Sequence, residues 1–400
     1  MTADAAPMRW DLARAAAHAA GAAAARPPST VPLAEADGLT LAEPLAALTD
    51  LPAFATSSVD GWAVRGEAPW RIVGRVLAGA VAPPLTGDGT CVEIATGAMV
   101  PAGTTAIVRT EDSTVNVDRV TGAPRAAREW REPGEEARRG EVLLPAGTPV
   151  TPGVVGLAAS CGYDELVVRP RPRTAVLVFG DELLTAGPPA EGRIRDSLGP
   201  SLPGWLRRLG ATVDRTIGPV QDTLDAHVDA IRSAFHGGAD VVCTTGGTMH
   251  GPVDHLHPAL AKIGAGYVVN TVAVRPGYPM LLARLPGGRF LAGLPGNPQS
   301  AIVALMSLVE PLLAGLTGRP EPATPPVTLG ADAPGRGDFT HLALVRREGG
   351  AMFPVKHTGS SMLRGLAQAA GFAIVAPGTA GAKGAQLPLV PLPLLEGERP

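Results

Sequence analysis

The stretch that decides the fold is Ala239-Asp-Val-Val-Cys-Thr-Thr-Gly-Gly-Thr-Met-His-Gly251, followed closely by Asp254. The apolar run Ala239–Thr244 predicts a buried strand, and the glycines after it predict a tight loop before a helix around Asp254–Ile263. Such a loop offers backbone amides to a phosphate and needs no net positive charge. It lacks the Lys-Ser/Thr ending of a Walker A loop and the GxGxxG spacing. The residues expected at this phosphate site are Gly246, Gly247, Thr248 and Gly251.

Strands and helices alternate on both sides of this stretch. The predicted elements are a strand at Thr174–Val178, a helix with Leu202, Leu206 and Leu209 on one face, a strand at Ala211–Ile217, a helix capped by Asp222 with Leu224, Val228, Ile231 and Phe235 on one face, strands near Tyr267–Val272 and Arg289–Ala292, and a helix from Pro298. Repeated strand–helix pairs predict a doubly wound parallel sheet whose ligand lies at the carboxyl ends of the strands. The apolar run Ala301–Leu316 contains Glu310-Pro311, so we expect a buried core helix and no membrane span.

A pair of acidic residues follows the first strand of this sheet. In Gly180-Asp-Glu-Leu183, two adjacent carboxylates come at the carboxyl end of a strand, where α/β sheets place their chemistry. The alternative is that these acids only cap the following helix. We expect Arg193 and Asp196 to share the same crevice.

A second strand-to-helix turn is Leu294-Pro-Gly-Asn-Pro298. Asn297 is predicted to cap the helix, and Pro298 suits its first turn. Two such turns on one sheet indicate an extended ligand with more than one polar group, contacted here by Pro295, Gly296, Asn297 and Pro298. Just upstream, Arg275 supplies a cation in a Pro-Gly segment that also has the composition of an ordinary turn.

The rest of the chain divides at proline-rich stretches. Residues 8–25 predict a helix, residues 52–145 a small β unit, and the chain from Val327 a terminal β unit after the linker at 319–326. In the small β unit, Asp60-Gly61 has the pattern of a hairpin turn, and the loop around Thr96-Gly97 exposes amides that suit either an anion or a simple turn.

Composition limits the classes of function. The net charge of -3 argues against binding to nucleic acid, and the N-terminal Ala-rich segment lacks the features of a signal peptide. Cys91, Cys161 and Cys243 are widely spaced, which predicts reduced, buried thiols in a cytoplasmic protein. The cluster His250, His255 and His257 lacks the cysteines or HExxH pattern of a zinc site.

Taken together and in order, these segments resemble signatures of the MoeA/gephyrin E-domain family of molybdopterin molybdenumtransferases over about residues 8–375. The matching segments are Ser58-Val-Asp-Gly-Trp-Ala-Val64, Ala95-Thr-Gly-Ala-Met-Val-Pro101, Gly134-Glu-Glu136 with Gly140-Glu141, Gly180-Asp-Glu-Leu183, Thr245-Gly-Gly247 with Gly251 and Asp254, Arg275-Pro-Gly277, Leu294-Pro-Gly-Asn-Pro298, Gly335-Arg-Gly-Asp-Phe339 and His357-Thr-Gly-Ser360.

The resemblance implies four domains, with a central α/β domain of the molybdopterin-binding type, a small β domain inserted in a split linker domain, and a C-terminal β barrel. The boundaries it implies are 1–51 with 145–172 for domain I, 52–144 for domain II, 173–319 for domain III and 320–400 for domain IV. It also implies a homodimer whose active cleft lies between domain III of one subunit and domain II of the other.

The implied reaction converts adenylylated molybdopterin and molybdate, with Mg²⁺, into molybdenum cofactor and AMP. Positions that match family sites are Asp60, Thr96, Glu136, Glu182, Asp222, Asp254, Pro295, Pro298, Arg336 and Ser360. In this hypothesis Glu182 and Asp254 hold the magnesium ion at the adenylyl phosphate and orient water, Gly246-Gly247 bind the pterin phosphate, and Asp60 and Thr96 act as catalytic residues from the partner subunit.

The chain departs from the family pattern at four positions on the substrate side. Phe179 stands where the family has Thr, Met249 where it has Ser, Tyr278 where it has Lys, and Leu198 where it has Asn. Met249 removes a hydroxyl donor and Tyr278 removes a cation. A weakened paralogue that binds molybdopterin without turnover therefore stays open beside the active enzyme. A single-domain adenylyltransferase is a third reading, against which both β units argue.

Overall fold

The computed structural model describes residues 6–249 and 254–394. They form two compact units. The larger unit comprises the chain up to Ser29, Gly38–Ala42 and everything described from Arg169 onwards; the smaller unit comprises Thr30–Asp37 and Glu43–Val168.

Helices account for little of the smaller unit and much of the larger one. The helices are α1 Trp10–Ala23, α2 Pro152–Ser160, α3 Leu198–Arg208, α4 Leu224–His236, α5 Leu256–Lys262, α6 Pro298–Ala304 and α7 Glu310–Leu316. A π-helical segment, Leu305–Val309, joins the last two into one continuous helix, and short 3₁₀ turns occur at Leu33–Glu35, Thr110–Asp112 and Leu366–Gln368.

Most strands are short. The first thirteen are β1 Ser29–Pro32, β2 Thr40–Leu41, β3 Leu45–Ala46, β4 Thr56–Ser57, β5 Gly61–Arg65, β6 Trp70–Val76, β7 Thr90–Ile94, β8 Ala106–Arg109, β9 Ser113–Asn116, β10 Arg119–Gly122, β11 Trp130–Arg131, β12 Val142–Leu144 and β13 Glu165–Arg169. The others are β14 Arg173–Phe179, β15 Leu183–Leu184, β16 Ile194–Arg195, β17 Thr212–Val220, β18 Val241–Thr245, β19 Gly266–Val269, β20 Val274–Arg275, β21 Leu281–Leu285, β22 Arg289–Leu294, β23 Pro326–Thr328, β24 Thr340–Glu348, β25 Ala351–Pro354, β26 Gly371–Val375 and β27 Gln386–Pro391.

A six-stranded sheet in the order β8-β5-β7-β6-β10-β9 is the centre of the smaller unit. Strand β5 is buried on both faces: Ala63 packs with one apolar cluster, and Trp62 and Val64 pack with another. The predicted all-β character of this segment is therefore confirmed.

The larger unit contains the predicted doubly wound sheet, in the order β17-β14-β18-β22-β21-β19. Strands β17, β14, β18 and β22 are parallel. Helix α3 covers one face through Leu202 and Leu206, and α4 covers the other through Ile231 and Phe235. The fold class is confirmed.

One strand of this sheet was not predicted. Strand β21 forms an antiparallel hairpin with β22, and β19 in turn pairs antiparallel with β21. The connection between β21 and β22 contains Gly287 and Gly288, both with positive φ. A hairpin at the end of an otherwise parallel sheet is common, and the short run Leu281–Leu285 has no helix beside it to mark it as a strand.

Two predicted helix caps are wrong in detail. The cap of α4 is Thr223, whose hydroxyl accepts a hydrogen bond from the amide of Ala226, while Asp222 accepts one from the amide of Asp181. Asn297 occupies the N-cap position of α6 but its side chain makes no capping bond; Pro298 lies in the first turn as expected.

The helix Pro298–Leu316 is long and apolar enough to cross a membrane, but 94% of its most apolar stretch is buried inside the protein, as predicted for a core helix.

Helix α1 packs against this long helix. The indole Nε1 of Trp10 donates a 2.8 Å hydrogen bond to the hydroxyl of Ser307, and Arg14, which is buried, donates to the carbonyl of Met306 and to the carboxylate of Glu310. Met306 lies in the π-helical segment and Glu310 comes directly after it.

The C-terminal strands form a small barrel. Strand β25 pairs with β24, which continues through β26 and β27 to β23. The ring closes where Leu329, just after β23, bridges Met352 of β25. This agrees with the C-terminal barrel that was expected.

The four domain boundaries given above stay a prediction. Helix α1, placed there in domain I, belongs to the larger unit. All three cysteines are buried and unpaired, as predicted, and burial raises the pKa of Cys91 to about 11 and that of Cys243 to about 12.

Replacement of Gly315 by alanine tests the contact between α1 and α7. A Cβ atom at Gly315 would overlap the carbonyl oxygen of His18 in α1, which is backbone and cannot move aside. We expect Gly315→Ala to lower the free energy of unfolding of the larger unit by about 2 kcal/mol or more, measured by urea unfolding.

The matched control is Gly204→Ala in α3, where the new Cβ would meet only the flexible end of Arg208. This change should be neutral or stabilising by up to about 1 kcal/mol, because alanine restricts the unfolded chain. Equal effects of the two substitutions would contradict the close packing of α1 on α7.

Candidate functional site

A cavity of about 630 Å³ lies at the carboxyl ends of the parallel strands in the larger unit. Its position follows from the sheet register, in which Val178 of β14, Thr245 of β18 and Leu294 of β22 stand side by side. The loops that follow these strands therefore begin at one edge. The predicted site residues that line the cavity are Glu182, Gly246, Gly247, Thr248, Asp254, Pro295, Gly296, Asn297 and Pro298.

The glycine loop after β18 takes a conformation that other residues rarely adopt. Gly246 and Gly247 have φ values of 82° and 67°, one after the other. The amide of Gly246 donates to the carbonyl of Leu294 at 2.9 Å, which ties this loop to the end of β22. A Cβ at Gly296 would lie 3.6 Å from the Cα of Gly246, so the two loops adjoin.

The backbone amides of the loop after Gly246 are available to a ligand. Within residues 6–249 and 254–394, the amides of Gly247, Thr248 and Met249 donate no backbone hydrogen bond. Consecutive free amides at the end of a strand are what an oxyanion requires.

The acidic segment after β14 forms the opposite wall. A Cβ at Gly180 would collide with the carboxylate of Glu182, so the glycine leaves room for that carboxylate. The backbone carbonyl of Glu182 accepts from the amide of Ile194, where β15 and β16 pair. Glu182 is thus held by a short ribbon and is not a helix cap, which decides against the alternative considered from the sequence.

Asp196 lines the same cavity and lies two residues before the first residue of α3. Its Oδ1 accepts hydrogen bonds from the amides of Leu198 and Gly199, each 3.0 Å long. The expected position of Asp196 in the crevice is confirmed. Arg193 is not among the lining residues; its guanidinium donates to the carbonyl of Leu183, and Arg195 lines the cavity instead.

Carboxylates outnumber cations around the cavity. Among the described residues that line it, Glu182, Asp196 and Asp254 are acidic and Arg195 is the one cation. A phosphate would meet net repulsion from these side chains unless a divalent cation accompanied it. Magnesium is usually held by one or two carboxylates together with substrate phosphates, so Glu182 and Asp254 fit such an ion with a bound ligand. Among the described residues, no group of three His, Cys, Asp or Glu side chains forms a metal site by itself.

Four predicted site residues lie elsewhere in the larger unit. The carboxylate of Asp222 accepts a hydrogen bond from the amide of Asp181. The guanidinium of Arg275 stacks over Phe339 at 4.5 Å and over Tyr278 at 5.2 Å, beside β24. The other two make backbone interactions. Arg336 forms an isolated β-bridge with Phe339. The carbonyl of Ser360 accepts hydrogen bonds from the amides of Gln299 and Ser300 at the start of α6.

The remaining predicted residues are in the smaller unit or outside the described residues. Asp60 and Thr96 are brought together: Oδ1 of Asp60 accepts from the amide of Thr96 at 2.7 Å and from its hydroxyl at 3.1 Å. Glu136 is exposed in the same unit, and its amide donates to the carbonyl of Leu51. Gly251 and His250 lie outside the described residues.

Sequence reasoning missed several lining residues. Ser197, Pro279, Ser361 and Leu363 also line the cavity, although none of them was among the predicted site residues. Ser361 and Leu363 come from the segment next to Ser360, so the match at His357–Ser360 was the signal that could have found them.

Comparison with known proteins shows similarity to one family over most of the chain. Residues 9–162 match the family model of the MoeA N-terminal region, domains I and II, and residues 175–315 match that of the probable molybdopterin-binding domain. The chain is 33% identical over 364 residues to the molybdopterin molybdenumtransferase of Bacillus subtilis (strain 168), covering 85% of this chain and 84% of that protein. It is 34% identical to molybdopterin molybdenumtransferase 2 of Mycobacterium tuberculosis, covering 86% and 90%.

The chain belongs to the molybdopterin molybdenumtransferase family. Two solved structures of the MoeA protein from Pyrococcus horikoshii share the fold. One has a TM-score of 0.77 at 24% identity, covering 98% of this chain and all of that one; the other has 0.78 at 20% identity, covering 96% and 99%.

The four departures from the molybdenumtransferase pattern have distinct places in the structure. Phe179, Met249 and Leu198 line the cavity, and Met249 is 55% exposed. Leu198 is also buried in the core beneath α3. Tyr278 supports Arg275 from one side of its guanidinium. Three apolar side chains thus stand at the cavity where the resemblance led us to expect polar ones.

Removal of the Asp196 side chain should loosen one wall of the cavity. Asp196→Ala deletes the acceptor for two amides at the start of α3, and we expect a loss of about 1 kcal/mol in the free energy of unfolding, measured with urea. Asp196→Asn keeps an oxygen acceptor and should retain most of that stability. If Asn were as destabilising as Ala, the charge and not the cap would be responsible.

Proposed function

We propose that this protein inserts molybdate into adenylylated molybdopterin, with magnesium and with release of AMP, as the last step that forms molybdenum cofactor. The single observation that carries the proposal is the convergence of Gly247, Glu182 and Asp254 on one cavity at the carboxyl ends of the sheet. The names of the relatives support the coarser part of the proposal, the transfer of molybdenum to molybdopterin.

The two walls of the cavity suit the two kinds of group in the substrate. The free amides of Gly247, Thr248 and Met249 fit a terminal phosphate on the pterin. The carboxylates of Glu182 and Asp254 fit the magnesium-associated phosphoanhydride, where they orient the water that cleaves it and leaves AMP. A bound magnesium ion supplies charge neutralisation at that phosphate.

Asp60 and Thr96 are proposed to complete the site from a second copy of the chain. Their mutual hydrogen bonds fix the Asp60 carboxylate and leave both residues exposed. A fixed, exposed carboxylate is suited to contact a ligand held by another surface.

The alternative is a protein that binds molybdopterin without converting it. The observation that favours it is the apolar lining provided by Phe179 and Met249, where the family has hydroxyl groups. The alternative predicts binding of adenylylated molybdopterin at normal affinity and no release of AMP.

Substitution of the two acidic residues tests the enzyme directly. Purified protein is incubated with adenylylated molybdopterin, Mg²⁺ and molybdate, and AMP and molybdenum cofactor are quantified. We expect Glu182→Gln and Asp254→Ala each to lower kcat by about 100-fold or more, because each removes charge at the reacting phosphate.

The control for acid-to-amide change is Asp225→Asn. Asp225 lies on α4, pairs with Lys262 and is exposed away from the cavity, so turnover should stay at the wild-type rate. Unchanged turnover in Asp254→Ala would show that Asp254 does not have the assigned role. If neither the wild type nor any variant released AMP, the binding-only alternative would be favoured.

Mixed dimers test the contribution of a second copy. Asp60→Ala and Asp254→Ala are each expected to be inactive alone. When the two are co-expressed, dimers with one of each contain one intact site, so about a quarter of the wild-type activity should return. Absence of any recovery, with mixed dimers shown to form, would mean that Asp60 and Asp254 act in the same copy, whereas wild-type activity of Asp60→Ala alone would mean that Asp60 has no role.

A further inference from the structure

A buried histidine lies directly behind the glycine loop. His227 of α4 is fully buried, and its ring stacks on Phe179 with the centroids 3.8 Å apart and the planes 29° from parallel. The ring Nδ1 lies 2.9 Å from the carbonyl oxygen of Thr223. Because a carbonyl only accepts, Nδ1 carries the hydrogen, and Nε2 presents a lone pair.

That lone pair has no donor among the described residues. A Cβ at Gly247 would lie 3.9 Å from Nε2, so the imidazole is immediately beneath the loop backbone. A buried acceptor without a partner destabilises the folded protein, so it is seldom retained without a reason.

Unpaired donors lie in the same place. The loop amides of Gly247, Thr248 and Met249 make no backbone hydrogen bond among the described residues, while Nε2 lacks a donor. Two consecutive glycines in the left-handed region give this backbone access to more than one conformation. A small rotation of one peptide would satisfy the imidazole, while its neighbours stay turned toward the cavity.

We propose that His227 is a positioning residue for ligand binding: when a phosphate-bearing ligand occupies the cavity, Nε2 of His227 accepts a hydrogen bond from an amide of the Gly247–Met249 loop. The bond holds the loop in the form that directs its other amides at the phosphate. The inference rests on the proposed function only for the identity of the ligand.

The charge state of the ring suits this role. Burial lowers the pKa of His227, which keeps the imidazole neutral near pH 7 and leaves Nε2 able to accept. The titratable groups that act on it are Asp222, which raises the pKa, and His255, whose ring lies 5.6 Å away and lowers it. An ordinary core histidine would share these properties, but ligand binding would not affect its Nε2.

The test observes Nε2 itself. Full-length protein labelled with ¹⁵N at histidine is titrated with molybdopterin at constant pH, and the His227 signals are assigned by comparison with His227→Asn. We expect the Nε2 resonance to move upfield as the lone pair gains a hydrogen bond, with the Nδ1 resonance nearly unchanged. A constant Nε2 resonance with ligand bound would overturn the proposal.

Two variants separate positioning from packing. His227→Asn places an amide N–H near the Nδ1 position but has nothing at Nε2, whereas His227→Gln places an amide oxygen near Nε2. We expect Asn to weaken molybdopterin binding about tenfold, equivalent to one hydrogen bond, and Gln to restore most of it. Equal affinity in the wild type and the Asn variant would also overturn the proposal.

The outcomes distinguish this inference from the proposed function. Binding of molybdopterin with a constant Nε2 resonance would leave the proposed function intact and end only the role of His227. If the wild type bound no molybdopterin, the proposed function would fall, and the titration with inorganic phosphate alone would decide the role of His227 by the same change in the Nε2 resonance.

Discussion

The parallel register of three central strands is the constraint on which the cavity depends. Hydrogen bonding sets Val178, Thr245 and Leu294 in one row, and each strand ends at or within one residue of that row. Three loops of unrelated sequence therefore begin at the same edge, because parallel strands bring their carboxyl ends together. A shift of one residue in this register would exchange the side chains that face α3 with those that face α4, so packing by these two helices fixes the site as well as the fold.

Much of the larger unit could be predicted because its signals are local. The strand over Ala239–Thr244, the glycines after it and the apolar faces of the helices all have a period or a turn residue that one sequence reveals. The antiparallel strand β21 could not be predicted in this way, since the short run Leu281–Leu285 has the same apolar pattern in either direction. Its direction is set by pairing with β22, and this pairing is visible only in the three-dimensional structure.

The candidate site shows the same division. Glu182, Gly246 and Gly247 were found because they come just after strands, and Asp254 because it follows the glycine loop. Asp222 was placed one residue from the true cap, Thr223, because both types of side chain cap helices and only the backbone geometry distinguishes them. The buried ring of His227 carried no sequence signal, because a histidine on the inner face of a helix has the spacing of any core residue. A single sequence does not reveal the tertiary packing that places α4 beneath the loop after β18.

The docking of α1 on the helix that ends at Leu316 has a consequence for biosynthesis. The bond from Trp10 to Ser307 joins residues 297 positions apart, and Arg14 also reaches the carbonyl of Pro322. Helix α1 is therefore synthesised long before the residues that cover its apolar side. Contacts of such long sequence separation form late, and an exposed apolar helix invites association with other chains in the meantime. The Ala-rich composition of α1 limits that hazard, since small side chains present little apolar area until their partner arrives.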